Sequence, residues 1–495
     1  MIDHNSGARL RWDLAFRQPR VDFVVTQSLP RVRRLQRWLF CAAMLGVGLS
    51  RPAPAAGPLR VHRENPRYFT DDSGRPILLA GCHTWPNIVD MGPTDPPAAF
   101  DFEAYLDWLA GYGHNFTRGW TWEPTRWHTS GMKNRAWRNA DHVISPLPWR
   151  RTGPGLAADG KPRFDLEQLE PEYLRRLEER VDLAGRRGIY MSVMLFEGYG
   201  VQFQREAWAN HPFNPANNVN GIDGDLNGDG KGIEVHQLVQ PGVTRLQEAY
   251  VRRVIETLNR FDNLLYEISN ETHPSSTDFQ YHMIRFVKDV EATLPKQHPV
   301  GMTYQNKRGT NETLFNGPAD WVSPNSAGGF RDDPPDMAGR KVVIADTDHL
   351  WGIGGDVDWV WKTVTAGSNL LFMDTYDGRV LGRRRDKEFD PVRRALGQAV
   401  ALAREFDLSA CVPDQHAAST GRCLSRRGYL YLIYAAEGGT FSVDLTDASH
   451  RFAATWIDPV SGERTPASAV GGGTRRSFTS PAAGPALLLL TRSDS

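Results

Sequence analysis

Between residues 75 and 377 eight short apolar runs recur, separated by stretches of helical period, and this alternation limits the fold more than any other feature of the chain. The runs lie at 76–81, 115–120, 189–196, 263–269, 299–304, 320–325, 341–346 and 369–374. Between them Leu174, Leu177, Val181 and Ala184, and again Val251, Val254 and Leu258, fall at the spacing of one helix face. Repeated strand and amphipathic helix is the pattern of parallel βα units. Eight such units predict a closed (β/α)8 barrel, and no G-x-G-x-x-G follows the first run to favour an open dinucleotide-binding sheet.

After about residue 408 the texture changes to "GYLYLIYAA", "TFSVDL", "FAATWIDP" and "PALLLLT", strands separated by Gly, Asp and Ser turns. This predicts a small all-β sandwich at 408–495 behind a barrel at 57–407. At the other end, Arg31, Arg33, Arg34 and Arg37 precede an apolar run at 38–49 and the small-residue stretch "APAA", the order of an export signal over residues 1–56. The expectation is a periplasmic or extracellular protein, released or held by that segment as an anchor. In an oxidising compartment Cys411 and Cys423, close in sequence, are expected to pair, while Cys82 sits in an apolar strand.

Fifty-eight basic and 58 acidic side chains leave no net charge, which argues against nucleic acid or an anionic membrane as partner. Fifteen tryptophans serve equally for a large core or for the apolar faces of sugar rings.

In a (β/α)8 barrel the C-terminal strand ends share one mouth, where active sites lie. The ends of the eight runs carry a ring of polar groups: His83 and Trp85, Arg118 and Trp120, Glu197, Asn270 and Glu271, Tyr304 and Asn306, Asn325, Asp346 and Asp348, and Asp374. Cleavage of a glycosidic bond with retention needs two carboxyls about 5 Å apart, one to protonate the leaving oxygen and one to attack the anomeric carbon. Strand ends four and seven face each other across such a mouth.

The stretch "SNETH" at 269–273 resembles the Asn-Glu pair that closes strand four in clan A glycoside hydrolases. The resemblance implies that Glu271 is the acid/base, that Asn270 bonds the sugar 2-hydroxyl, and that Arg118 in "GHNFTRGW" holds the nucleophile ionised. The clan normally ends strand seven in Glu. This chain has "IADTDHLWGIGGD", so the implied nucleophile is Asp346, at the strand end, or Asp348. "NPRYFTDDSGRPILLAGCHTW", "RTGPG" and "VMLFEGYG" are similar to a bacterial apiosidase-like branch of the clan over most of 60–405. The tail through "WIDPVSGE" resembles a β-sandwich family named for collagen binding, a name that is no evidence of that activity here.

The remaining residues divide by position. Trp85, Trp120, Trp122 and Trp351 fall at or beyond strand ends, where a ring can stack on a sugar; Tyr304 and His349 are placed to contact substrate. Glu197 lines the sugar site or caps the next loop, and His83 bonds substrate or nucleophile or is a satisfied core histidine. Glu267, inside its strand, is expected to form a buried ion pair, Trp108 to be core, and Asp374 to brace the rim. The loop "DGDLNGDGKGIE" fits the EF-hand pattern, with Asp223, Asp225, Asn227, Asp229 and Glu234 as calcium ligands, although Gly230 occupies the usually apolar eighth position. The chemistry itself requires no cofactor and implies a carbohydrate substrate but no protein partner. Two other readings stay open: a metal-dependent barrel hydrolase built on His83, Asp346, Asp348 and His349, and a carbohydrate-binding protein without turnover.

Overall fold

The computed structural model describes residues 55–128, 141–204, 206–306 and 308–493. The basic and apolar parts of the predicted export segment lie outside them. Among the described residues no helix is long and apolar enough to cross a membrane.

All eight predicted strands form one closed parallel barrel: β1 (Ala80–His83), β2 (Phe116–Gly119), β3 (Tyr190–Glu197), β4 (Leu264–Asn270), β5 (Val300–Thr303), β6 (Trp321–Ser323), β7 (Val342–Asp346) and β8 (Asn369–Met373). Each pairs with its neighbours in sequence, and β8 closes on β1. The helices α1 (Phe102–Gly111), α2 (Pro171–Arg186), α3 (Pro241–Leu258), α4 (Thr277–Glu291), α5 (Asn311–Asn316), α6 (Val357–Thr365) and α7 (Asp386–Glu405) alternate with the strands. Leu177, Val181 and Ala184 of α2 and Val251, Val254 and Leu258 of α3 are buried, as their spacing predicts. The strands are buried on both faces, which is why they read as unbroken apolar runs.

The first strand is displaced from its predicted place. Pro76–Ile77 pairs antiparallel with Phe69–Thr70 in a separate small sheet, and the barrel strand begins at Ala80. Proline lacks the N–H that a central strand donates, so Pro76 sits outside the barrel. His83 is consequently the last residue of β1, beside Met373 of β8. Between β2 and β3 the chain also builds strands absent from the sequence reading. Arg126–His128 and Asp90–Gly92, the latter from the segment between β1 and β2, flank Asp141–Ser145, and Trp149–Leu156 forms a hairpin with Pro162–Leu169.

The C-terminal region is antiparallel: β9 (Cys423–Arg426), β10 (Leu430–Ala435), β11 (Gly438–Asp444), β12 (Arg451–Ile457), β13 (Arg464–Gly471), β14 (Arg475–Ala483) and β15 (Ala486–Ser493). Strands β9, β10, β15, β12 and β13 form one sheet with Val412–Pro413 at its edge, and β11 pairs with β14 as a ribbon. Alternation along β15 explains its continuous leucines. Leu487 and Leu489 join the apolar core continuous with the barrel, whereas Leu488 and Leu490 face the sandwich interior. The Trp361 indole of α6 donates to the Pro459 carbonyl at 2.9 Å across the same contact. The expected disulfide is not formed: Cys411 joins the barrel-side core and Cys423 the sandwich core, each a buried free thiol.

Asp374, just past β8, braces the rim. Its carboxylate accepts two bonds from the buried Arg393 guanidinium of α7, at 2.7 and 2.8 Å. Asp374→Ala would leave that cation buried with Asp386 as its remaining hydrogen-bonded carboxylate among the described residues. The expected cost is about 3–5 kcal/mol in urea unfolding, and a loss under about 1 kcal/mol would contradict the pairing.

Candidate active site

The mouth is organised around Arg118 of β2, which is 1% exposed. Its Nε and Nη2 grip Glu267 of β4 at 2.8 and 2.5 Å, the buried pair expected of a carboxylate inside its strand. Nη2 also donates to Asn270 Oδ1 at 2.6 Å, and Nη1 to both Asp346 and Asp348 at 3.2 Å. The Trp120 ring lies 4.5 Å from the guanidinium carbon. Burial disfavours the charge, but Glu267, Asp346 and Asp348 together hold Arg118 cationic. One cation on β2 thereby joins the ends of β4 and β7.

The two aspartates differ. Asp346 ends β7 with a side chain 2% exposed and both its oxygens engaged. It takes the His83 Nε2 bond at 3.0 Å, the Arg118 bond and the backbone N–H of Asp348 at 3.0 Å, capping the turn Thr347–Leu350. Burial opposes its charge, yet His83 and Arg118 outweigh it and hold the carboxyl well below the usual range. Asp348 has a side chain 10% exposed. Burial and the neighbouring Asp346 charge push its carboxyl up to about 6, against the pull of Arg118.

Asn270 is oriented from two sides. Arginine is only a donor, so the atom facing Arg118 is the amide oxygen. His349 Nε2 lies 3.1 Å from the same oxygen and must donate to it, leaving Nδ1 to accept from Ser323 Oγ at 2.7 Å. Burial keeps this ring neutral by pulling it down to about 3. The Asn270 amide nitrogen is thus turned toward Glu197 Oε1, 3.5 Å away. His349, expected to contact substrate, instead positions Asn270. Glu197 caps the turn after β3, accepting the Tyr199 and Gly200 N–H groups at 2.8 and 2.9 Å, and burial raises it to about 8 despite these bonds.

Glu271 stands just beyond β4 in the left-handed region, φ +45°, where few non-glycine residues are held. Gln202 donates to its carbonyl at 2.7 Å. Burial, then the like charges of Asp348 and Glu197, push the half-buried carboxyl well above its ordinary range, while Arg118 and Asn306 act the other way. The Tyr304 phenol is raised by burial and by the Glu271 charge.

The tryptophans depart from expectation. Trp85, Trp120 and Trp122 are 2%, 2% and 0% exposed and pack with Trp127 in a cluster with ring separations of 4.7 to 5.9 Å. Rings so enclosed present no open face to a sugar; they wall the exits of β1 and β2. Trp351 donates to the Gly354 carbonyl and packs on Trp359, with Arg331 over its ring, outside the carboxylate cluster.

Sequence reasoning missed Asn87 and Tyr199. The Asn87 amide bridges the Arg118 carbonyl and the Trp120 N–H, both at 2.6 Å, fixing how β2 leaves the barrel. Tyr199 lies in the field of Glu271, Asp348 and Glu197. Its place two residues past a strand-end glutamate was the available signal.

The sequence offers two candidate metal sites. The ligand atoms of Asp346, Asp348 and His349 lie within 4.8 Å of one another. Arg118 already bridges both carboxylates, however, and both His349 nitrogens are engaged, so a divalent ion would have to displace a buried guanidinium; the residues do not fit one. In the loop of the EF-hand pattern, Asp223, Asp225, Asn227 and Asp229 accept the loop's own N–H groups, and Asn227 donates to Glu234. Lys231 pairs with Asp229. Among the described residues these acids do not converge as a ligand cluster.

The arrangement defines a (β/α)8 protein with a carboxylate-lined mouth. Among solved structures the fold is similar to a glycoside hydrolase family 5 protein from Bacteroides vulgatus ATCC 8482, at 15% identity over 89% of this chain and 94% of that one, TM-score 0.57. A second, described as "Glycoside hydrolase", matches at 15% identity over 89% of this chain and 98% of its own, TM-score 0.56. At such identity the likeness establishes a shared fold, the (β/α)8 barrel with its C-terminal region. Residues 131–308 match the model "Domain of unknown function (DUF6298)", and 409–487 match "Putative collagen-binding domain of a collagenase", in agreement with the sequence resemblance of the tail. No curated protein matches the chain significantly.

Proposed function

We propose that this chain is an exported glycoside hydrolase that cleaves O-glycosidic bonds of an oligo- or polysaccharide with retention, using Glu271 and Asp348. The observation that carries the reading is the placement of these two carboxyls. They stand after β4 and β7, Asp348 keeps part of its side chain exposed, and its charge acts on Glu271. Environments that push two carboxyls apart assign acid and base. Burial, with the charges of Asp348 and Glu197, raises Glu271 well above its ordinary range, the direction a proton donor needs, while Asp348, at about 6, is ionised at neutral pH.

In the first step Asp348 attacks the anomeric carbon while the Glu271 proton passes to the departing oxygen. In the second, the Glu271 carboxylate takes a proton from water, the water oxygen attacks the same carbon, and Asp348 leaves. Arg118 limits the charge built on Asp348, and the Asn270 amide nitrogen is presented to a sugar hydroxyl. Asp346 supports the site by holding His83 and Arg118.

The test is hydrolysis of a panel of 4-nitrophenyl glycosides and polysaccharides, followed by a pH profile on whichever substrate turns over. kcat/KM is expected to fall below about pH 6 as Asp348 gains a proton, and again on the alkaline side as Glu271 loses its own. A profile flat through pH 6 would remove Asp348 from the reaction.

A further inference from the structure

Beyond β3 the chain turns at Gly198 into a short helix, Tyr199–Phe203. A Cβ on Gly198 would meet Thr272 Cγ2 at 2.4 Å and Thr272 Cα at 2.6 Å, so this turn rests directly on the backbone that follows Glu271. Gln202 locks the contact, its Nε2 donating at 2.7 Å to both the Gly198 and the Glu271 carbonyls. The turn and the acid/base therefore form one rigid unit. On it the Tyr199 and Phe203 rings lie 4.6 Å apart at 37°. Tyr199 is half-buried beside the carboxylates, whereas Phe203 is 42% exposed.

From this arrangement we infer that Tyr199 and Phe203 form a binding platform for the apolar C–H face of the sugar residue on the leaving-group side of the scissile bond. The inference rests on the proposed hydrolytic reading and adds to it a residue-level subsite. Glu271 delivers its proton to the oxygen that departs, so the surface bonded to Glu271 itself meets the departing residue. The exposed Phe203 ring, stepping outward from the acid and backed by Tyr199, suits a pyranose, whose axial hydrogens give one face an apolar character. The enclosed indoles at the exits of β1 and β2 offer no such surface. The helix is held by contacts through Gly198 and Gln202.

The experiment compares kcat/KM on two probes, the 4-nitrophenyl glycoside that the wild type cleaves and an oligosaccharide of the same sugar, for wild type, Phe203→Ala, Phe203→Tyr and Glu271→Gln. Loss of one stacking ring is expected to lower the oligosaccharide-to-aryl ratio of kcat/KM by about five- to tenfold in Phe203→Ala. Phe203→Tyr is expected to restore it. An unchanged ratio, or failure of the aromatic variant to restore it, overturns the platform while leaving the hydrolytic reading in place. No turnover by wild type across the 4-nitrophenyl panel, or undiminished turnover by Glu271→Gln, overturns the hydrolytic reading and the platform with it.

Discussion

Glu271→Gln is expected to lower kcat on an unactivated glycoside by about 10³- to 10⁴-fold, the upper range for a positioned general acid. Gln is isosteric and keeps the contacts of the side chain but has no proton to give. The loss must therefore depend on the leaving group. With a nitrophenolate, which departs without protonation, the first step recovers and the defect moves to hydrolysis of the glycosyl-enzyme, visible as a burst of nitrophenol followed by a slow steady state. The left-handed backbone at this residue and the Gln202 clamp on its carbonyl hold the carboxyl in place. Circular dichroism of the variant should match wild type, so the loss is chemical. A fall by the same factor for both leaving groups would point instead to damaged binding.

Asp348→Asn is expected to cost on the order of 10⁴-fold with every substrate, activated or not, because no leaving group substitutes for a missing nucleophile. Asp346→Asn is expected to lose less, up to about 10²-fold, the scale of a misplaced supporting group. The contrast rests on reach. Asp346 spends its oxygens on His83, Arg118 and the Asp348 N–H, whereas Asp348 is held by the arginine at 3.2 Å and keeps part of its carboxyl open. If Asp346→Asn proves the more damaging, the roles are exchanged and the strand-end residue is the nucleophile.

Much of the barrel was legible in the sequence because its strands are buried on both faces and alternate with helices of clear period. The exceptions have local causes. Pro76 extended the first apolar run beyond the strand it precedes, and the strands after β2, such as Arg126–His128, are too short and polar to show a period. The site divides similarly. The strand-end position of Glu271, Arg118 and the aspartates follows from counting along each strand. Whether Trp120 offers a face to solvent, or His349 spends both nitrogens on Ser323 and Asn270, depends on what other strands bring alongside. That information is tertiary, and no spacing along the chain contains it. The leucines of β15 make the same point: they read as a strand, but not as one with the barrel on one side and the sandwich on the other.

In the proposed reaction Asp348 forms a covalent bond to sugar while Glu271 supplies and retrieves the proton. This division of roles is tested most directly by trapping. A panel of 2-deoxy-2-fluoroglycosyl fluorides, which slow the second step more than they hinder the first, is incubated with wild type and with Glu271→Gln, and proteolytic peptides are mapped by mass spectrometry. One added fluorosugar is expected on the peptide containing residues 346–349, with fragmentation placing it on Asp348. A label on Asp346, or turnover of the natural glycoside with inversion and no label, would contradict these roles.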